Sequence, residues 1–125
     1  MRIAVIIVRV LMGLMFLFAS VVVLFNLMPK PEMSGNVKLF NDGLAATGYF
    51  ITFLKVIELI SSLALISGFY VRLITVVIFP ITANIFMYHL FLAPEGLLIS
   101  IFMLLGNLFL AYYYRESYAP LLQPK

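Results

Sequence analysis

Four long apolar runs, Ile3 to Leu27, Gly48 to Phe69, Leu73 to Leu92 and Leu97 to Tyr114, alternate with short polar stretches along the 125-residue chain. At about 1.5 Å per residue, a run of some 20 residues spans a bilayer's hydrocarbon core of about 30 Å, so each run predicts a transmembrane helix. The longest polar stretch, Met28 to Asp42, carries Pro29 and Pro31, which are expected to end the first helix. From Ser34, a plausible N-cap, Val37, Leu39 and Phe40 alternate with polar residues and predict a short helix lying at the membrane interface. The connection Ser67-Gly68-Phe69-Tyr70 before Arg72 is short enough to make the second and third spans antiparallel neighbours. Pro80 predicts a kink near Val76, Ala93-Pro94-Glu95-Gly96 reads as a turn, and Tyr112, Tyr113 and Tyr114 close the last span at a membrane face.

The few polar residues inside the spans fall on stripes. Arg9, Gly13, Phe16 and Ser20 share one face of the first helix, and Ser100, Met103, Asn107 and Ala111 share one face of the fourth. Small residues on such a face let a neighbouring helix approach closely. The pattern as a whole predicts an all-α, antiparallel four-helix transmembrane bundle, a single domain over residues 1–125, with each polar or small stripe turned inward.

Lys55 and Glu58 interrupt the second span three residues apart, hence on one helix face. Each costs several kcal/mol in lipid unless paired or turned inward, so they mark the bundle interior. Counted along the spans, Glu58, Asn84 and Asn107 lie roughly 12–15 Å deep on three helices, with Lys55 and His89 about one turn nearer the same face. Side chains tilt toward a helix's amino terminus, which favours Lys55 over Arg9 as the partner of Glu58. The functional reading is a polar pocket in that half of the bundle, holding the head group of a quinone-like or lipid-like molecule or relaying protons. The structural reading is that Lys55, Glu58, Asn84 and Asn107 hold the helices together by buried hydrogen bonds. His89 points about 140° from Asn84 on an ideal helix, toward the face of Thr75 and Thr82, and reads as a polar anchor more than a ligand. Arg9 is long enough to snorkel to the surface. Tyr49, Phe50, Phe53, Tyr88 and Phe91 fit a pocket wall and an interfacial aromatic belt equally.

Composition agrees with the pattern: 65% of residues are hydrophobic and 10% charged, with a mean hydropathy of +1.17. The lipid bilayer is therefore the first partner of this chain. A net charge of +3 with no Lys/Arg run leaves no footprint for nucleic acid. Without cysteine, thiolate chemistry and Cys-type metal sites are excluded within the chain, and one histidine with no acid at ligand spacing argues against a metal site. No nucleotide-binding, metalloprotease or Ser/His/Asp pattern is present, so no catalytic residue is assigned and no cofactor is evident from the residues. Arg2, Arg9, Arg72, Arg115 and Lys125 fall to one side of the predicted bundle and only Lys30 and Lys38 to the other. The positive-inside rule then places both termini in the cytoplasm of a prokaryotic plasma membrane. The first span lacks the small residues of a cleavage site near Ala19 and is expected to be retained.

The string TGYFITFLKVIELISSLALISGFYVRLITVVIFPITANIFMYHLFLAPEGL, with RVLMGLMFLF before it and AYYYRESYAPLL after it, resembles the DoxX family of small four-helix membrane proteins. Ser61-Ser62 stand where a glycine pair is common in that family, and Ser20 where a glycine is common, departures that bear on helix packing more than on chemistry. The resemblance implies a membrane subunit: archaeal members belong to a thiosulfate:quinone oxidoreductase, and a mycobacterial member associates with a redox complex containing a superoxide dismutase and a sulfurtransferase. It suggests a quinone as ligand and a membrane oxidoreductase as partner, with this chain an anchor or quinone-site subunit of a redox or stress-response assembly and not an enzyme by itself. The alternatives are a small proton-coupled transporter in which Glu58 titrates, and a purely structural membrane protein. Oligomeric state and ligand identity are not encoded in any of these patterns.

Overall fold

A computed structural model of the chain describes residues 2–29 and 32–124. It is all-α: α1 (Arg2–Leu24), α2 (Gly35–Ala46), α3 (Phe50–Ser67), α4 (Val71–Phe91), α5 (Leu97–Tyr113) and the single turn α6 (Arg115–Tyr118). Helices α1, α3, α4 and α5 are long and apolar enough to cross a membrane, the last together with the short 3-10 turn Pro94–Gly96 before it. They form an antiparallel ring in which α1 packs on α3, α3 on α4, α4 on α5 and α5 back on α1. The expectations for Pro31, Lys30 and Lys125 lie outside the described residues.

The helix ends are set by local chemistry and differ in places from the expected ones. α1 stops at Leu24, five residues before Pro29, because Asn26 turns left-handed at φ 52 and ends the ladder first. α2 begins at Gly35 with Ser34 as its extended N-cap, although the Ser34 side chain makes no capping bond, and it runs on to Ala46, past the expected end of the polar stretch at Asp42. Gly48, at φ 80, then breaks the chain between α2 and α3, so the second span begins at Phe50 and not at Gly48. Thr47 secures that corner: its Oγ1 donates to the Leu44 carbonyl at 2.8 Å and accepts from the Phe50 amide at 3.0 Å, meeting one free donor at the start of α3. Gly68, at φ 88, closes α3, and Tyr70, also left-handed, opens α4.

The bundle interior is part apolar, part hydroxylic. Phe16, Leu65, Ile78 and Leu110 are fully enclosed, beside Ser20, Ser61, Ser62, Thr75, Thr82, Ser100 and Asn107. Most of the hydroxyls bond their own helix: Ser20 to Leu17, Ser62 to Leu59, Thr75 to Val71 and Ser100 to Leu97 carbonyls. Small side chains at these positions bring backbones close, and the large apolar residues, among them Phe18, Leu63, Phe79 and Phe102, turn outward as they must in lipid. After α5, Tyr118 donates its hydroxyl to the Arg72 carbonyl at 2.6 Å, tying the tail to the start of α4. Burial raises the pKa of that phenol above its ordinary value, which keeps the donating form.

Candidate functional site

The half of the bundle on the α2 side contains a cavity of about 1100 Å³. Its walls come from α1 (Met15, Phe16, Ala19, Val23), from the first half of α3 and the last half of α4, with Met103 of α5 at the back. Helix α2 lies across the mouth. Phe40, Asn41, Leu44 and Ala45 face the cavity from it, and two contacts hold the helix to α4. The Asn41 amide donates to the Tyr88 hydroxyl at 3.1 Å, and the Phe40 and Tyr88 rings lie 5.3 Å apart. Asn41 was not singled out by its sequence context. Its Nδ2 also donates to the Val37 carbonyl one turn earlier, so it fixes the face that α2 presents. The signal available in the sequence was only an amide in an amphipathic stretch.

Lys55, Glu58, Asn84 and His89 all line this one cavity. Lys55 Nζ lies 3.3 Å from Glu58 Oε2 and 3.4 Å from Oε1, with side-chain exposures of 18% for the lysine and 2% for the glutamate. Only the contact to Oε1 has hydrogen-bond geometry, and Oε2 is buried with no hydrogen-bond partner. The ion pair therefore leaves one carboxylate oxygen without a well-aligned donor. Its location follows from the helix: Glu58 is eight residues into α3, about 12 Å below its start, and Lys55 is one turn above it. Asn84 is exposed on α4 where it borders the cavity.

His89 sits nearer the mouth. Its Nδ1 is 3.0 Å from the Ala93 carbonyl, which can only accept, so Nδ1 carries a proton and donates it there. The ring lies so close to Gly96 that a methyl carbon there would be 2.4 Å from Cε1. Thus His89 fastens the end of α4 to the following turn, as an anchor does, while still bordering the cavity. Although Asn84 and His89 lie on different faces of α4, the cavity broadens beneath α2 and reaches both.

Asn107 is not among the residues that border the cavity. It is fully buried between α4 and α5, where its Nδ2 donates to the Thr75 carbonyl at 3.1 Å. The reason is the orientation of α5, which offers Met103 to the cavity and turns Asn107 toward the helix it packs on most closely, α4. The Thr75 carbonyl adjoins that of Val76, from which Pro80 withholds a donor, so Asn107 supports α4 beside its proline. Arg9 is also removed from the site. Its guanidinium lies against Gly68 at the carboxyl end of α3, toward the face that carries both ends of the bundle.

Among the described residues no cluster of His, Asp and Glu could hold a metal ion. The cavity instead combines apolar walls with a carboxylate, an ammonium, an amide and an imidazole. Such a space accepts an elongated, mostly apolar molecule with a hydrogen-bonding head. A family model described as DoxX matches residues 4–91, the stretch that supplies α1 to α4 and therefore Lys55, Glu58, Asn84 and His89. No curated protein and no solved structure matches the chain.

Proposed function

The chain belongs to the DoxX family, and from that premise we propose that it is a membrane subunit that binds a lipid-soluble, quinone-like molecule and serves a redox or stress-response assembly without being an enzyme by itself. The observation that carries this reading is the cavity of about 1100 Å³ with the Lys55–Glu58 pair on its wall. Its size suits a ligand larger than a typical drug-sized molecule, for which pockets run to about 1,000 Å³. Lys55 and the Asn84 amide donate to a carbonyl-type head, the Glu58 carboxylate accepts from a hydroxyl-type head, His89 borders the same space, and the α1 and α3 side chains line the tail. A membrane oxidoreductase is the partner that would use such a bound molecule. The arginine placement favours a plasma membrane with both termini cytoplasmic.

Ligand titration of the purified chain with a short-tailed ubiquinone or menaquinone analogue tests the reading. Binding is expected for the wild type and a loss of about tenfold or more for Glu58→Gln and for Asn84→Ala in protein that remains folded. Equal binding by all three proteins removes the cavity from consideration.

A second reading draws on the same carboxylate, whose Oε2 has no hydrogen-bond partner: Glu58 as the titrating group of a proton-coupled transporter. Proton flux in liposomes that disappears in Glu58→Gln, beside absent quinone binding, selects it over the first.

A further inference from the structure

The opposite face of the bundle, where both ends of the chain lie, has a separate cleft of about 470 Å³. Arg2 and Arg9 of α1, Arg72 at the start of α4, Tyr114, and Glu116 and Ser117 of α6 border it. Three arginines and one carboxylate thus border one cleft. Among the described residues the ion pairs are Lys38–Asp42 and Lys55–Glu58, so none of the three arginines is in a direct ion pair, and the single carboxylate of Glu116 leaves an excess of positive charge at the cleft. Three like charges around a partly enclosed space repel one another more than they would in open water, and an anion among them relieves that repulsion.

Two of these arginines are positioned by contacts that leave their N–H groups free. Gly68 has neither a Cβ nor an ordinary φ, and the Arg9 guanidinium occupies the room: a methyl carbon at Gly68 would lie 2.9 Å from Nη1. There the charge also meets the negative end of the α3 dipole. Arg72 lies with Cζ 5.0 Å from the Tyr114 ring centre, a stacking contact through its π-face. Arg9 borders the cleft, and its Nε is buried with no hydrogen-bond partner in the protein. Arg115 on the same face offers a contrast. It is spent locally, with Cζ 4.3 Å over the Tyr112 ring and Nη1 donating to the Tyr112 carbonyl at 2.9 Å.

We propose that this cleft binds a phosphate group, that of an anionic phospholipid headgroup. Guanidinium forks match phosphate oxygens in pairs, and Arg2 and Arg9 of α1 and Arg72 of α4 border the space from two helices, enough donors for the two free oxygens of a phosphodiester. The lipid source is favoured by the remaining walls: Val5 and Ile6 continue the cleft along α1, and Ile6 is 40% exposed toward the surrounding lipid, a track for acyl chains. Tyr113 and Tyr114 sit at the level of an interface. The site is independent of the cavity beneath α2.

The test is native mass spectrometry of the full chain from nanodiscs of equal phosphatidylglycerol and phosphatidylcholine, with inorganic phosphate as the competing soluble source. The wild type is expected to retain phosphatidylglycerol preferentially. Arg2→Gln and Arg72→Gln should each weaken retention about fivefold, and Arg115→Gln should change it little. Arg9→Lys, which keeps the charge but loses the fork and Nε, should weaken it as well. Arg2 is exposed, so its variant reads out the site even where Arg72→Gln disturbs Tyr114. Displacement of the lipid by inorganic phosphate would retain the phosphate site and assign it to a soluble ligand. Equal retention of the two lipids by the wild type, or an Arg115→Gln loss as large as that of Arg2→Gln, overturns the proposal.

Discussion

Glu58 is 1% exposed and its charge partner lies on the same helix, so removing either residue strands the other in a medium that solvates it poorly. Breaking a buried pair in this way costs about 3–5 kcal/mol, whereas replacing both charges together is often near neutral. Thermal denaturation in detergent should therefore show Lys55→Met and Glu58→Ala each well below the wild type and the double variant above at least one of them. Strictly additive losses would mean the two side chains are not coupled. The pairing was readable from the chain because it is local: a spacing of three on a helix brings the groups together whatever the rest of the protein does. The partner of Asn107 was not, since Thr75 is 32 residues away and on a different helix. Nothing in the residue type of Asn107 says whether its face of α5 meets a cavity or another backbone.

Between elements, α1 and α3 meet where Gly13 lets them. A methyl group there would stand 2.7 Å from Ile66 Cγ1, 3.1 Å from the Ser62 carbonyl oxygen and 3.2 Å from Leu65 Cβ. An alanine gains up to about 1 kcal/mol of helix propensity, but forcing a packed interface apart costs about 1–3 kcal/mol, so Gly13→Ala should lower the melting temperature. Gly43 of α2 gives the opposite expectation. A methyl group there meets nothing within 4 Å, and Gly43→Ala should stabilise α2 by about 0.5–1 kcal/mol, read as slower amide exchange in that helix. If Gly13→Ala is neutral or stabilising, the close approach of α1 to α3 is not where it is described. The small-residue stripe of α1 was visible as a stripe. Which helix fills it was not, because a stripe names a face and not its neighbour.

For the whole molecule, an even number of spans requires that the segment before α1 and the tail after α5 share one side, as Arg2 and Glu116 do by lining one cleft. Reporter fusions at the two ends should both report the cytoplasm, and a fusion in α2 the opposite side. A tail reporter active outside the cytoplasm would reverse the orientation argued from the arginines. The four candidate spans, the all-α character and the position of Lys55 and Glu58 within α3 were determined by the sequence alone, because long uninterrupted apolar runs satisfy their backbone groups only as helices and each helix fixes its own rise and facing. The ring order of the helices, the burial of Asn107 against α4, the roof that Asn41 and Phe40 make with Tyr88, and the placing of Arg2, Arg9 and Arg72 around one cleft were decided only in three dimensions. These depend on how stripes of several helices are brought to face one another. That choice rests on contacts between residues far apart in the chain, and no periodicity within a single helix contains it.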